Sequence, residues 1–273
     1  MARNPRRNEG KAWSPSPERS QGGGPGRGRP KPPSPDWLWG WHPVAAALAN
    51  PARGEPRRLV ATADRARQLQ AEVSDSLKPE IAEAAAIARL LPQGAVHQGV
   101  ALKPSPLEPL TLAELADPAE GVLVMLDQVT DPQNVGAIFR SAAAFGARGL
   151  IVQDRHAPTF TGALAKASAG AIDRLPHARV TNLARALDEL ADLGWRTVGL
   201  ASDSPEDLAT ALDGRPTVLV LGSEGDGLRR LVGEHCDVLA KISMPGGFDS
   251  LNVSAAAAVA LYEATLRDRN RSR

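Results

Sequence analysis

Thr217-Val218-Leu219-Val220-Leu221-Gly222-Ser223-Glu224-Gly225-Asp226-Gly227-Leu228 is the stretch that decides the fold. Its first five residues are an apolar run of strand length with no polar alternation, the pattern of a strand covered on both faces. Three glycines in six residues then turn the chain, and helical spacing resumes over 228–235. The same order recurs around it. Apolar runs stand at 122–126, 149–152, 197–200 and 238–242. Helical spacing fills 135–145, 161–169 and 182–193, and a long helix over 253–267 follows the last run. Buried-type strands alternating with helices predict an α/β fold built on a parallel sheet with helices on both faces.

Upstream, order begins at Trp37-Leu38-Trp39-Gly40-Trp41-His42. A short helix is expected over 43–49, a strand over 58–62, helices over 64–73 and 80–90, and a strand over 95–102. Lys103-Pro104-Ser105-Pro106-Leu107-Glu108-Pro109, with three prolines in seven residues, reads as a stiff linker. The expected organisation is a disordered tail over 1–36, a small domain over 37–103, a linker over 104–119 and a second domain over 120–273.

Composition narrows the function classes. Hydrophobic residues make up 42% and charged residues 23% of the 273, ordinary for a globular protein. No apolar run approaches the ~20 residues of a membrane helix. One cysteine, Cys236, excludes an internal disulfide framework or a cysteine-rich zinc site, and the five histidines are scattered, so no metal is expected. These features fit a reduced, cytoplasmic protein. The net charge of +1 hides an asymmetry: residues 1–31 carry eight basic and two acidic groups, leaving 24 basic and 29 acidic in the rest. A basic tail on a mildly acidic body points to a polyanionic partner or to a solvated leader.

In open α/β sheets ligands bind beyond the carboxyl ends of the strands, and three such segments hold polar groups. The first is Asp127-Gln128-Val129-Thr130-Asp131-Pro132-Gln133-Asn134, leading into Val135-Gly136-Ala137-Ile138-Phe139-Arg140. Asn134 is either a helix N-cap or a functional amide. Arg140 is a lone cation in a helix of small residues, either a snorkelling rim residue or a partner for phosphate or carboxylate. The second is Gly222–Leu228. Its glycines follow neither the dinucleotide nor the P-loop spacing. It is either a tight turn or a loop where Glu224 faces a ligand bearing hydroxyls or positive charge. The third is Ile242-Ser243-Met244-Pro245-Gly246-Gly247-Phe248-Asp249-Ser250-Leu251-Asn252-Val253-Ser254, whose Ser250, Asn252 or Ser254 is suited to cap the last helix.

Taken together, Asn134–Ala142, Leu221–Leu228 and Ser250–Ser254 resemble, in this order, the three motifs of the SpoU (TrmH-type) RNA 2′-O-ribose methyltransferases. Gly40-Trp41-His42-Pro43-Val44, His97-Gln98-Gly99-Val100 and Lys166-Ala167-Ser168-Ala169-Gly170-Ala171 extend the likeness to residues 37–268, nearest the subgroup that acts on a guanosine of 23S rRNA. The resemblance implies a SPOUT-type parallel sheet with a trefoil knot, a preceding L30e-like domain that binds RNA, and a homodimer. It implies methyl transfer from S-adenosyl-L-methionine to a ribose 2′-hydroxyl of 23S rRNA, with tRNA as the alternative substrate and a catalytically silent RNA-binding protein as a further one. It assigns catalysis to Arg140, with Asn134 orienting Arg140 or the ribose, Glu224 holding a polar group or steadying its loop, and Ser250 and Asn252 positioning substrate. Cofactor contacts fall on Leu221, Gly222, Gly225, Ile242, Met244 and Leu251, with glycine at 222 expected to spare the ligand a Cβ. Ser243 stands where the family usually has proline.

Overall fold

The four-stranded first sheet takes its order β1-β4-β2-β3 from β1 (Leu38–Trp39), β2 (Arg58–Ala61), β3 (Glu80–Ile81) and β4 (Val100–Lys103). It is carried by α1 (Trp41–Ala49), α2 (Ala63–Leu69) and α3 (Ala84–Ala88). A computed structural model describes residues 36–69, 78–155, 157–248 and 250–271. The expected tail, Asp36 excepted, and residues 70–73 of the expected second helix lie outside them. Two expected elements are shorter than read. The helix expected over 80–90 begins at Ala84, because Glu80 and Ile81 pair in parallel with Val60 and Ala61. The strand expected over 95–102 starts at Val100, because Gln98 and Gly99 take positive φ (53° and 82°), which no ladder accommodates.

Residues 104–119 are more than a spacer. They contain α4 (Leu112–Ala116), started by a capping box in which Thr111 Oγ1 accepts from Glu114 N and the Glu114 carboxylate accepts from Thr111 N. Leu115 and Ala116 are buried, and Trp195 Nε1 donates to the Ala116 carbonyl at 2.9 Å.

The second sheet is parallel throughout, as the apolar runs require. It comprises β5 (Val122–Leu126), β6 (Gly149–Gln153), β7 (His177–Val180), β8 (Arg196–Leu200), β9 (Thr217–Leu221) and β10 (Val238–Ala240), in the order β10-β8-β9-β5-β6-β7. Its register sets Val124 beside Leu219 and Leu150. Alternate residues of each run serve opposite faces. Val122, Val124, Leu150, Leu219 and Leu221 pack in one core, and Leu123, Met125, Ile151, Val218 and Val220 in the other. The first core is closed by α5 (Pro132–Ala144), α6 (Gly162–Ser168), α8 (Leu208–Ala211) and α10 (Val253–Arg271). The second is closed by α4, α7 (Leu183–Asp192) and α9 (Arg230–Glu234). Strand β7 has no counterpart among the apolar runs: His177-Ala178-Arg179-Val180 is half polar and stands at the sheet's edge beside β6, with a single bridge from Ala178 to Leu110 on its other side. Helices α5 and α6 touch at Gly136, where a Cβ would lie 2.5 Å from the Leu164 carbonyl oxygen.

Candidate active site

Strand β9 ends at Leu221, and the glycine loop closes on itself. Ser223 N donates to Gly227 O at 3.0 Å, and Gly227 N returns the bond to Ser223 O at 3.1 Å. A Cβ on Gly222 would stand 2.0 Å from the Gly227 carbonyl carbon, so this closure requires glycine there. The loop's own backbone thus demands glycine at 222 before any ligand is considered. Buried Asp127, at the end of β5, accepts from Arg229 N at 2.9 Å and Nε at 2.7 Å and so brackets the far side of the loop.

The second loop leaves β10 tied to the segment before α8: Lys241 N donates to Glu206 O, and Leu208 N to Lys241 O, both at 2.8 Å. Ser243 Oγ donates to the Asp207 carboxylate, a tether that a proline in its place would lack. The loop ends at Asn252, whose Oδ1 accepts from Ser254 N (3.0 Å) and Ala255 N (3.3 Å), capping α10. The same residue's Nδ2 donates to Asn134 Oδ1 at 3.0 Å and to Glu224 Oε1. Capping and site assembly thus fall to one side chain.

Asn134 does not cap α5; Asp131 does, its side chain accepting from Gln133 N at 3.0 Å. Asn134 sits in the first turn, buried, and its Nδ2 donates to Glu224 Oε1 at 3.1 Å. Glu224 Oε1 therefore collects Asn134, Asn252 and, at 3.4 Å, Val253 N. One acidic oxygen joins all three segments. Among the described residues no hydrogen bond engages its Oε2, which leaves an acceptor for a hydroxyl or a cation.

Beside this cluster lies a cavity of about 510 Å³, at the carboxyl ends of β8, β9 and β10. All six expected cofactor contacts line it: Leu221, Gly222, Gly225, Ile242, Met244 and Leu251. Glu224, Ser250 and Asn252 line it too. Its volume falls within the roughly 300–1,000 Å³ of small-molecule sites. Among the described residues, no hydrogen bond uses the main-chain groups of Ile242 or Leu251, so both are open to a ligand. Two apolar walls and unspent backbone donors and acceptors fit a nucleoside-bearing sulfonium such as S-adenosyl-L-methionine.

Arg140 stands elsewhere. It is exposed, two turns along α5 from Asn134, and lines a different cavity of about 640 Å³ with His42, Ser168 and Arg174. Asn134 bonds Glu224 and Asn252 and not Arg140, so orientation of Arg140 by Asn134 is absent within this chain. The sequence reading also passed over Asp127, Arg229 and the Ser243–Asp207 tether. The signal for the first pair was present, a carboxylate ending one strand and an arginine just past the glycine loop, but their pairing is long-range. Burial, then Asp237 and Asp127, push the Cys236 thiol up to about 12, which disfavours the thiolate. Among the described residues no group of three or more His, Cys, Asp or Glu is placed to hold a metal, and no helix is long and apolar enough to cross a membrane.

Comparison with known proteins matches the same region. The model of the SpoU rRNA Methylase family matches residues 121–262. An uncharacterized tRNA/rRNA methyltransferase of Mycobacterium sp. (strain KMS) is 46% identical over 175 residues, 62% of this chain and 55% of that one; the chain thus spans about half the length of the first relatives it matches. The 23S rRNA (guanosine-2′-O-)-methyltransferase RlmB of Pseudomonas syringae is 44% identical over 183 residues, 65% of this chain and 73% of that one. Among solved structures, the SpoU methyltransferase AviRb from Streptomyces viridochromogenes superposes with a TM-score of 0.73 at 27% identity, covering 86% of this chain and 90% of AviRb; AviRb has also been solved with AdoMet. With its three signature segments gathered on Glu224 and the family match running from β5 into α10, the chain belongs to the SpoU rRNA Methylase family.

Proposed function

We propose that this protein transfers a methyl group from S-adenosyl-L-methionine to a ribose 2′-hydroxyl of RNA, with a guanosine of 23S rRNA as the target. One observation carries the reading: the cavity beyond β8–β10 lies directly beside the Asn134–Glu224–Asn252 cluster. The relative acting on 23S rRNA and the AdoMet-bound neighbour support the substrate and the cofactor. When bound, the cofactor supplies a methyl group activated on a positively charged sulfur.

The chain's own residues do the rest. Leu221, Ile242 and Leu251 offer apolar walls and main-chain groups that hold and orient the methyl donor. Glu224, fixed by its three donors, keeps the two loops at one spacing and presents its second oxygen to a polar group. Ser250 offers a hydroxyl to the ribose. Positioning of this kind supplies much of the rate of an in-line displacement. Arg140 binds substrate phosphate and stabilises the oxyanion that develops as the 2′-hydroxyl passes its proton to water; a guanidinium is normally protonated and so a poor base. Because Arg140 lies outside the cavity of its own chain, this role requires it to reach the cavity of a second copy, which accords with a homodimer. Exposed Val259 and Tyr262 on α10, which packs against α5, offer apolar area for that contact. The same reading carries the trefoil knot, the L30e-like first domain and a cytoplasmic location. The return of α10 across α5, β5 and β9 supports the first of these.

The test has two arms. Calorimetry with S-adenosyl-L-methionine should give one saturable site per chain. Incubation with the labelled cofactor and unmodified 23S rRNA, followed by nucleoside analysis, should give 2′-O-methylguanosine. Label on a base, or no cofactor heat, would overturn the reading.

A further inference from the structure

A third cavity, of about 340 Å³, lies at the other edge of the six-stranded sheet, where the two sheets meet. Arg57 and Lys103 reach it from the first sheet; Phe160, His177 and Arg179 reach it from the segment before α6 and from β7. Arg57 N donates to Lys103 O at 2.9 Å, so the two basic residues sit side by side. The Arg179 guanidinium lies 4.6 Å from the centre of the Phe160 ring, and the His177 ring stands 4.7 Å from the same ring, tilted by 60°. An arginine over an aromatic ring uses no N–H group in that contact, so its N–H groups stay free for a phosphate.

The charge here is uneven. Arg53 also lines the cavity, but it is sealed in a buried pair with Asp173 and gives its Nη1 to Ser105 O at 3.1 Å. Among the described residues no ion pair engages Arg57, Lys103 or Arg179, although Asp154 attracts Arg179 from nearby. One acidic residue, Asp36, stands among the lining side chains. Burial holds His177 neutral down to about pH 4, so it adds a polar group and no charge. Unpaired cations over an aromatic floor are the chemistry of nucleic-acid backbone binding. The cavity's strand β7 is three spacings of about 4.8 Å from β9, the nearest strand bearing the proposed methyl-transfer site, so at least about 14 Å of sheet separates the two, a span of a few nucleotides.

We propose that the Arg57–Lys103–Arg179 cavity is a phosphate-binding site that seats a backbone phosphodiester of the RNA substrate, a few nucleotides from the one modified. The proposal rests on the reading of the chain as an RNA-modifying enzyme. The site positions RNA and takes no part in methyl transfer.

The test is binding of the full chain to a fluorescein-labelled single-stranded 12-mer of oligoadenylate, measured by anisotropy across a salt series. In Arg57→Gln/Arg179→Gln the affinity should fall at least tenfold, and the slope of log K against log salt should shrink by about 0.7, the value for one lost phosphate contact to a single strand. Arg57→Gln/Lys103→Gln leaves the Arg179–Phe160 stack intact and should do the same, which covers misfolding of the first variant. Arg185→Gln/Arg230→Gln removes two surface arginines already paired with Glu189 and Glu234 and should leave the slope unchanged. An unchanged slope in the first two variants, or an equal fall in the third, overturns the proposal. So does inorganic phosphate binding that the variants abolish while RNA binding persists, because the cavity would then serve a free anion. Calorimetry with S-adenosyl-L-methionine on the same samples reads the methyl-transfer assignment separately: loss of RNA binding with cofactor binding intact locates the effect in this cavity.

Discussion

The six-stranded sheet carries two polar regions of opposite construction. Beyond β8–β10, the side chains of Asn134, Glu224 and Asn252 satisfy one another, and Asp127 and Ser243 pin the two loops from outside. Toward β7 and the far end of α5, Arg140, Arg179, Arg57 and Lys103 stand without carboxylate partners among the described residues. The contrast separates two tasks. A site that must hold a small ligand in one pose is built from groups that fix each other before the ligand arrives. A surface that meets a polyanion leaves its cations unpaired, because the partner brings the counter-charge. Arg53 marks the boundary: it lies among those cations yet is spent on Asp173, tying the 3₁₀ turn Pro51–Arg53 to the turn Ala171–Asp173.

Breaking that boundary should have the largest effect. Asp173→Ala leaves the Arg53 guanidinium, 4% exposed, buried and uncompensated. The expected loss is about 3–5 kcal/mol of unfolding free energy by urea titration. A loss below about 1 kcal/mol would mean that Arg53 belongs with the unpaired cations. Next comes Arg140→Ala, expected to lower methyl-transfer turnover about 10²–10³-fold with cofactor affinity unchanged. Normal methylation by that variant would remove the region's link to chemistry altogether.

Glu224→Ala tests the self-satisfied side. Three donors lose their common acceptor, and stability should fall by about 1–3 kcal/mol. Calorimetry should also show weaker cofactor binding as the two loops drift apart. Full retention of both would show that the loops hold their spacing without Glu224. The smallest effect concerns His177 and appears only in acid. Burial, then Arg179 and Arg53, lower its pKa to about 4. The unfolded chain therefore takes up a proton at higher pH than the native one, and stability falls as pH drops from about 6.5 toward 4. His177→Gln should flatten that part of the urea-midpoint profile. An unaltered profile would show that His177 protonates without cost beside those cations.

The parallel sheet was legible because apolar runs such as Val122–Leu126 carry their own signal, and so were the ligand-bearing strand ends that follow from it. Two edge strands were not. His177–Val180 is half polar and forms because β6 offers a ladder, and Leu38–Trp39 depends in the same way on β4. The short helix α4 within the proline-rich connection was hidden for a related reason. Three prolines mask Thr111 and Glu114, whose capping box is short-range, but whether α4 docks depends on Leu115 finding the far face of the sheet.

The same division runs through the site. The loops after the buried strands drew attention to Asn134, Glu224 and Asn252, and the family resemblance singled out Leu221, Gly222, Gly225, Ile242, Met244 and Leu251, all of which line the cavity. Only the tertiary structure decided that those three meet on a single carboxylate oxygen, that Gly222 is required by Gly227, and that Arg140 faces away from them. The first depends on distances between segments some 30 to 120 residues apart, and the second on a loop closure that spacing alone does not announce. Local periodicity reports which face a residue takes on its own helix or strand, and the packing of one element on another settles what that face meets.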